Sequence, residues 1–377
     1  MKEKSNKQFM ILSAITIIMV VDAHSWPILK LGSSIYPYNS FFMAAFFFVS
    51  GYFLDLGGSG FGGVIKKKVK KLLIPYLLWT LAYALLINLL RAYTNINIGV
   101  PFEWKEYVLG ILFNGEILDI NAPGYFVLIL FYTEMGYLLF RRLFGKVWNE
   151  WIAMAIFSAM GYGVVFRSIE IGSQYNLSSP GTMLMKVAFC LQFLQLGSLY
   201  KNKIEGWMNK YSPLRCCCFS SVLMWLITWV VGDTGWNLNW LIFNSKLLNM
   251  NNIFCLTPLA TSVLGICFWL SLSKILVPSF GGSRLVNYIS NHTFVIMMNH
   301  IFFMANVNWV LVLVNRYFAM PGFDINSALT TSWYRYSGID SGMYFVYFAT
   351  GFTGSLFLCH LLDKVRCFKE KGMYFLK

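Results

Sequence analysis

The stretch FMILSAITIIMVVDAHSWPIL, residues 9–29, decides the fold class. From Phe9 to Val21 it carries no charge, and a run of about 20 mostly apolar residues is what a helix needs to cross a bilayer. It has no small-x-small cleavage site, and two polar residues, Asp22 and His24, follow the apolar stretch. It is therefore expected to remain as a membrane span rather than to be removed as a signal peptide.

Runs of the same kind recur to the end of the chain. Ten candidate spans fall at 9–29, 36–55, 72–91, 123–140, 147–166, 182–200, 214–232, 253–277, 285–313 and 341–363. The expected architecture is all-α, one integral-membrane domain over 1–377 built as a polytopic helix bundle of about ten spans. Composition agrees. Of 377 residues, 57% are hydrophobic and only 12% charged, with a mean hydropathy of +0.59. A soluble domain carries about 25% charged residues, so this chain has too few to cover a water-facing surface.

The net charge of +14 does not mark a nucleic-acid binder, because its cations sit in short clusters between apolar runs and not on one exposed face. With the N-terminus inside, 22 of the 30 Lys and Arg fall in inner segments and seven in outer ones. Cytoplasmic loops hold such an excess, so both termini are expected in the cytoplasm and the chain is expected to be multi-pass in the plasma membrane. The eight cysteines show no metal-type spacing, and no metal is expected.

Three outer connections are long. Residues 92–122 contain Phe102, Glu103, Trp104, Glu106, Glu116 and Asp119; 233–252 contain Trp236, Asn237, Asn239, Trp240 and Asn244; 314–340 contain Trp333, Tyr334 and Arg335. Aromatic faces stack on sugar rings while amides bond hydroxyls, although an aromatic belt at the membrane interface has the same composition.

Ionisable groups inside spans are costly and are functional candidates by default. They are Asp22 and His24 in the first span, Glu134 in the fourth, and His300, beside Asn299, in the ninth. Counted at about 1.5 Å per residue from the inner ends of their spans, His24 and His300 both lie ~22 Å up, so they can line one cavity. Asp22 and His24 are two apart and do not share a helix face, which makes them a poor acid–base dyad. His292 and His360 lie near span ends, where snorkelling or capping accounts for them.

Four stretches together resemble acyltransferase family 3, the polytopic sugar O-acetyltransferases of the fucose 4-O-acetylase-like kind. ILSAITIIMVVDAHSW (11–26) resembles the family's first span, whose essential histidine maps to His24. YPYNSFFMAAFFFVSGYFLD (36–55) resembles the next span with its F-F-x-S-G ending, at Ser50 and Gly51. IKKKVKKLLIPYLLW (65–79) resembles a basic stretch leading into L-I-P-Y, and HTFVIMMNHIF (292–302) a late span with a polar position at His300. NAPGYFVLILF (121–131) is similar to the family's P-x-W-F-L segment, with Tyr125 where Trp is usual. The chain departs from the pattern around Ser13, where the family commonly has an arginine.

The resemblance implies acyl transfer from a cytoplasmic thioester, acetyl-CoA, to a carbohydrate hydroxyl. His24 is then the general base, since an imidazole takes a proton at neutral pH, with an acyl-histidine intermediate as the variant of the same reading. Ser50, Asn299 and His300 are candidate donors to the oxyanion, and Glu134 either orients a histidine or partners a buried cation. Lys66, Lys67, Lys70, Lys71, Arg141 and Arg142 are the candidate donor-binding cations, a cluster that an anionic lipid surface would also attract. The alternative is a transporter or flippase that uses the same polar residues as a proton relay. The Gly/Pro-broken helix pairs common in such carriers are absent from the sequence, which favours the enzyme.

Overall fold

The computed structural model describes residues 6–31, 36–54, 60–101, 103–104, 107, 109–110, 118–171, 179–232, 234–238, 242–243, 252–338 and 341–374. Phe102, Glu106, Glu116, Asn239, Trp240 and Asn244 lie outside them, as does the side chain of Asn237.

Helices dominate because hydrocarbon offers a backbone no hydrogen-bond partner other than itself. The α-helices of six residues or more are α1 (Lys7–His24), α2 (Phe42–Phe53), α3 (Gly60–Lys68), α4 (Ile74–Tyr93), α5 (Tyr125–Phe144), α6 (Glu150–Ile171), α7 (Pro180–Leu199), α8 (Pro213–Val231), α9 (Thr257–Phe280), α10 (Arg284–Asn291), α11 (Thr293–Asn315), α12 (Ile325–Thr330) and α13 (Met343–Tyr374). Among the described residues, strand pairing is confined to Trp236–Asn237 against Ile242–Phe243.

Nine helical segments among the described residues are long and apolar enough to cross a membrane. The candidate at 36–55 is the exception: its helix, α2, has 12 residues, about 18 Å of rise against a hydrocarbon core of ~30 Å. A helix that short is suited to the bundle interior, and eight of its residues are buried. The third candidate begins earlier than 72. α3 runs through a π-helical turn, Val69–Leu73, into α4, so the lysine cluster rides on a helix rather than in a loop. The ninth candidate, 285–313, divides at His292 into α10 and α11. His292 is tied there to Asp363 of α13, Nε2 to Oδ2, at 3.1 Å.

Apolar burial does not drive helices together in lipid, so close backbone approach and polar bonds must. The α2–α7 contact shows the first. A Cβ on Gly51 would lie 1.9 Å from the Leu194 carbonyl oxygen, and one on Gly197 would lie 2.1 Å from that of Phe48. Gly197→Leu is therefore expected to prevent α2 from docking, seen as loss of the monodisperse peak in detergent size-exclusion chromatography. Normal elution with an unchanged melting temperature would contradict the contact. The second is shown by Glu150, which collects Arg141 (3.1 Å), Gln195 (2.7 Å) and Asn202 (3.0 Å) from three segments.

α1 packs against α9, α10 and α11, and α7 against α2, α5 and α6, which makes these two the inner helices. In the hydrophobic window of α7, 72% of residues are buried, against 17% for α8, a peripheral helix whose Trp225 and Trp229 point outward.

Candidate active site

α1 starts on Asn6, whose side chain accepts from the Gln8 amide, and ends at His24. Beyond it Trp26 takes a positive φ of 65° and Pro27 cannot continue a helix. The chain then curls around the carboxylate of Asp22. Oδ1 accepts from the amides of Ile28 (3.0 Å) and Leu29 (3.1 Å), and Oδ2 from that of Lys30 (3.2 Å) and from the Tyr38 hydroxyl (2.9 Å). Asp22 is thus a buried organiser of the turn that holds the end of α1. It is not a proton partner of His24.

His24 meets His300 of α11, Nδ1 to Nε2, at 2.8 Å. Ring centroids 5.0 Å apart with planes 19° from parallel mean that the rings meet edge to edge, the geometry of an in-plane hydrogen bond. The other nitrogen of His300, Nδ1, lies 2.9 Å from the Ile296 carbonyl. A carbonyl only accepts, so His300 Nδ1 carries the proton and Nε2 of the neutral ring is a bare acceptor. His24 Nδ1 must then be the donor in the shared bond, leaving Nε2 as the one basic nitrogen of the neutral His24 ring.

His24 lines a cavity of about 90 Å³ with Val20, Asn39, Tyr125, Trp236 and Trp333 among its walls. That is room for a few water-sized groups. Trp333 stands edge-on to the His24 ring, centroids 5.4 Å apart. Trp236 is fixed by its indole N–H on the Ser40 carbonyl (2.9 Å). Lys186 is fully buried behind this wall, its ammonium 6.0 Å from the Tyr125 ring centre.

Arg335, from the connection between α11 and α13, reads in the sequence only as part of an aromatic outer loop, with no role at the site. It is buried, and its guanidinium donates to the carbonyls of His24 (Nε, 3.2 Å), Ser332 (Nη1, 2.6 Å) and Tyr334 (Nη1, 2.8 Å). It lies 5.2 Å over the Tyr347 ring. Burial pulls its pKa down to about 10, which leaves it charged at neutral pH. Asp119 secures the same segment, its Oδ2 accepting from the Ser332 amide at 2.6 Å. The available signal was an outer cation that the distribution of charge between loops did not explain.

The remaining sequence candidates divide into other places. Asn299 turns from the histidines: its Oδ1 accepts from Tyr83 (2.5 Å) and its Nδ2 donates to Val295 (2.7 Å). Ser50 and Glu134 meet each other well away from His24. Glu134 is nine residues along α5 from the cavity residue Tyr125, about 13 Å. Its Oε1 accepts from the Ser50 hydroxyl and pairs with Lys68 at 2.5 Å, so of its two readings the structure has the carboxylate partnering a cation.

Lys66, Lys67, Lys70 and Lys71 are exposed, while Lys68 of the same run turns inward. Arg141 and Arg142 line a second cavity of about 310 Å³ with Phe61, Val64, Leu138 and Gly145. Arg141 is engaged by Glu150, and Arg142 lies 4.6 Å over the Phe61 ring. No group of His, Cys, Asp and Glu suited to a metal ion occurs among the described residues.

A family model described as an acyltransferase domain, acyltransferase 3, matches residues 10–363. Comparison with curated proteins and with solved structures returns no match. With nearly its whole length matched, and with membrane-spanning helices to carry the match, the chain belongs to the acyltransferase 3 family.

Proposed function

We propose that this membrane acyltransferase is an O-acyltransferase of the plasma membrane. It moves an acyl group, acetyl in the simplest case, from acyl-CoA at the basic, cytoplasmic end to a hydroxyl of an exported or cell-surface carbohydrate. The observation that carries the proposal is the hydrogen-bond chain Ile296 carbonyl, His300, His24, which leaves His24 Nε2 free in a ring that lines a cavity.

A sugar hydroxyl is a poor nucleophile until its proton leaves, and the donor supplies an activated carbonyl with a thiolate leaving group. His24 Nε2 takes the hydroxyl proton as the oxygen bonds to the acyl carbon. His24 then returns that proton to the departing sulfur as the C–S bond breaks. His300 Nε2 accepts from His24 Nδ1 throughout, which holds the ring and supports the imidazolium. A neutral His300 thus has no N–H left for an oxyanion, and its role is positioning. Trp333, Trp236 and Asn39 supply the aromatic faces and amide that suit a carbohydrate.

The cation-rich end suits the phosphates of the donor: Arg142 borders the larger cavity, and Lys66 and Lys67 are exposed on α3, the helix whose Val64 lines it. The variant Lys66→Gln/Lys67→Gln/Lys70→Gln/Lys71→Gln is expected to raise the KM for acyl-CoA about tenfold or more with kcat unchanged. A change in membrane orientation alone would make the cluster a topological signal. The activity itself is tested with purified protein in detergent, radiolabelled acetyl-CoA and a panel of glycans. Label covalently attached to glycan without any membrane gradient supports transfer. Gradient-dependent glycan movement in liposomes, with no label transferred, would indicate a carrier.

A further inference from the structure

α5 is a ruler between the two cavities. Tyr125 borders the His24 cavity, Arg142 borders the basic one, and the helix between them is continuous, so they stand roughly 25 Å apart. Glu134 lies about midway. Leu138, one turn from Glu134, and Val64, one turn from Lys68, both line the basic cavity, which places the Lys68–Glu134 pair at its deep end. A donor with its phosphates at the basic end and its thioester at His24 must pass this level.

Two observations mark the level as a contact site. Glu134 is fully buried, and both of its protein partners, Ser50 and Lys68, use Oε1. Its Oε2 is buried with no hydrogen-bond partner among the described residues. A buried carboxylate oxygen left unbonded is costly, so something with an N–H or O–H is expected to meet it. Beside it, the π-helical turn Val69–Leu73 interrupts the α3–α4 helix directly after Lys68. Such turns are often found at functional sites.

We infer that Glu134, held by Lys68 and Ser50, binds the amide-bearing arm of the acyl-CoA donor, its free Oε2 accepting from a secondary amide N–H of that arm. The inference rests on the donor reading above and gives Glu134 a role in binding instead of proton transfer. The ion pair aims the carboxylate, and Ser50 completes Oε1 so that Oε2 alone faces the ligand.

Glu134→Gln is the discriminating substitution. Lys68 and Ser50 both donate, so they retain the amide oxygen and turn its NH₂ to the place of Oε2, replacing an acceptor with a donor. Titration calorimetry on the full-length protein in detergent compares coenzyme A with adenosine 3′-phosphate 5′-diphosphate, the same nucleotide without its arm. At least a tenfold loss of affinity for coenzyme A, with the nucleotide unchanged, is expected. Equal affinity of variant and native protein for coenzyme A overturns the inference, and so does an equal loss for both ligands, which is a structural effect. Should Glu134→Gln not fold, Lys68→Met/Glu134→Leu removes the acceptor together with its charge partner, and the same pattern is expected. A native protein that binds neither ligand removes the donor reading itself, and this inference with it.

Discussion

His24→Ala is expected to lower the rate of acyl transfer by about 10²–10⁴-fold, the usual range for loss of a general base, while the protein still folds and binds coenzyme A. The companion substitution separates two roles for His300. If its function is to hold His24 in the Nδ1–H tautomer, His300→Ala alone costs at least about tenfold, because the released ring presents its base in the wrong direction or tautomer part of the time. Residues acting as one unit are strongly non-additive. His24→Ala/His300→Ala is therefore expected to be no slower than His24→Ala. Turnover of purified variants with saturating acyl-CoA reads this directly. A further loss in the double variant would mean that His300 touches the reacting atoms on its own account, as a donor to the oxyanion, and the hydrogen-bond chain assigned here would be wrong.

The second large effect is expected at Arg335. Its removal leaves the carbonyls of His24 and Ser332 without their donor, at about 1–3 kcal/mol for each buried group so orphaned, while the Tyr334 carbonyl keeps only Asn308 Nδ2 at 3.0 Å. The end of α1 and the segment carrying Trp333 then lose their common anchor. Arg335→Ala is expected to lower kcat/KM for the acceptor about 10²-fold and to lower the melting temperature, with the affinity for coenzyme A unchanged. Arg335→Lys retains the charge but has no planar fork to span three carbonyls, so an intermediate loss is expected. If Arg335→Ala weakened donor binding as much as acceptor use, the residue would be a general strut of the bundle. If it altered nothing, the outer connection would have no part in positioning His24.

The site was legible in the sequence to different depths. His24 stood out because an imidazole within an apolar run is expensive, and that expense is a property of the residue and its neighbours alone. A count of residues along two spans put His24 and His300 at one depth and had both line one cavity, but the count began at Leu285 whereas α11 begins at Thr293. The structure bonds the two rings, and of the pair only His24 is among the cavity's walls. Asp22 was visible as a buried carboxylate, but its partners are amides of residues 28–30 in a turn whose curl no periodicity records. Ser50, Asn299 and Glu134 were grouped with the histidines by chemical type. The structure puts Asn299 against Tyr83, and Glu134 about 13 Å along α5 from the cavity with Ser50 of α2 bonded to it, because counting along a span fixes depth and says nothing of which helices lie side by side.

What the sequence determined by itself was that the chain lives in a membrane as helices. Apolar length and scarcity of charge are summed locally along the chain, and lipid allows hardly any other backbone. What only the tertiary structure decided was the orientation of one imidazole: that His300, itself fixed by the Ile296 carbonyl, stands 2.8 Å from His24 and leaves Nε2 as its free base. That choice depends on contacts between residues 276 positions apart, made where glycines let helix backbones touch and where buried polar groups must find each other.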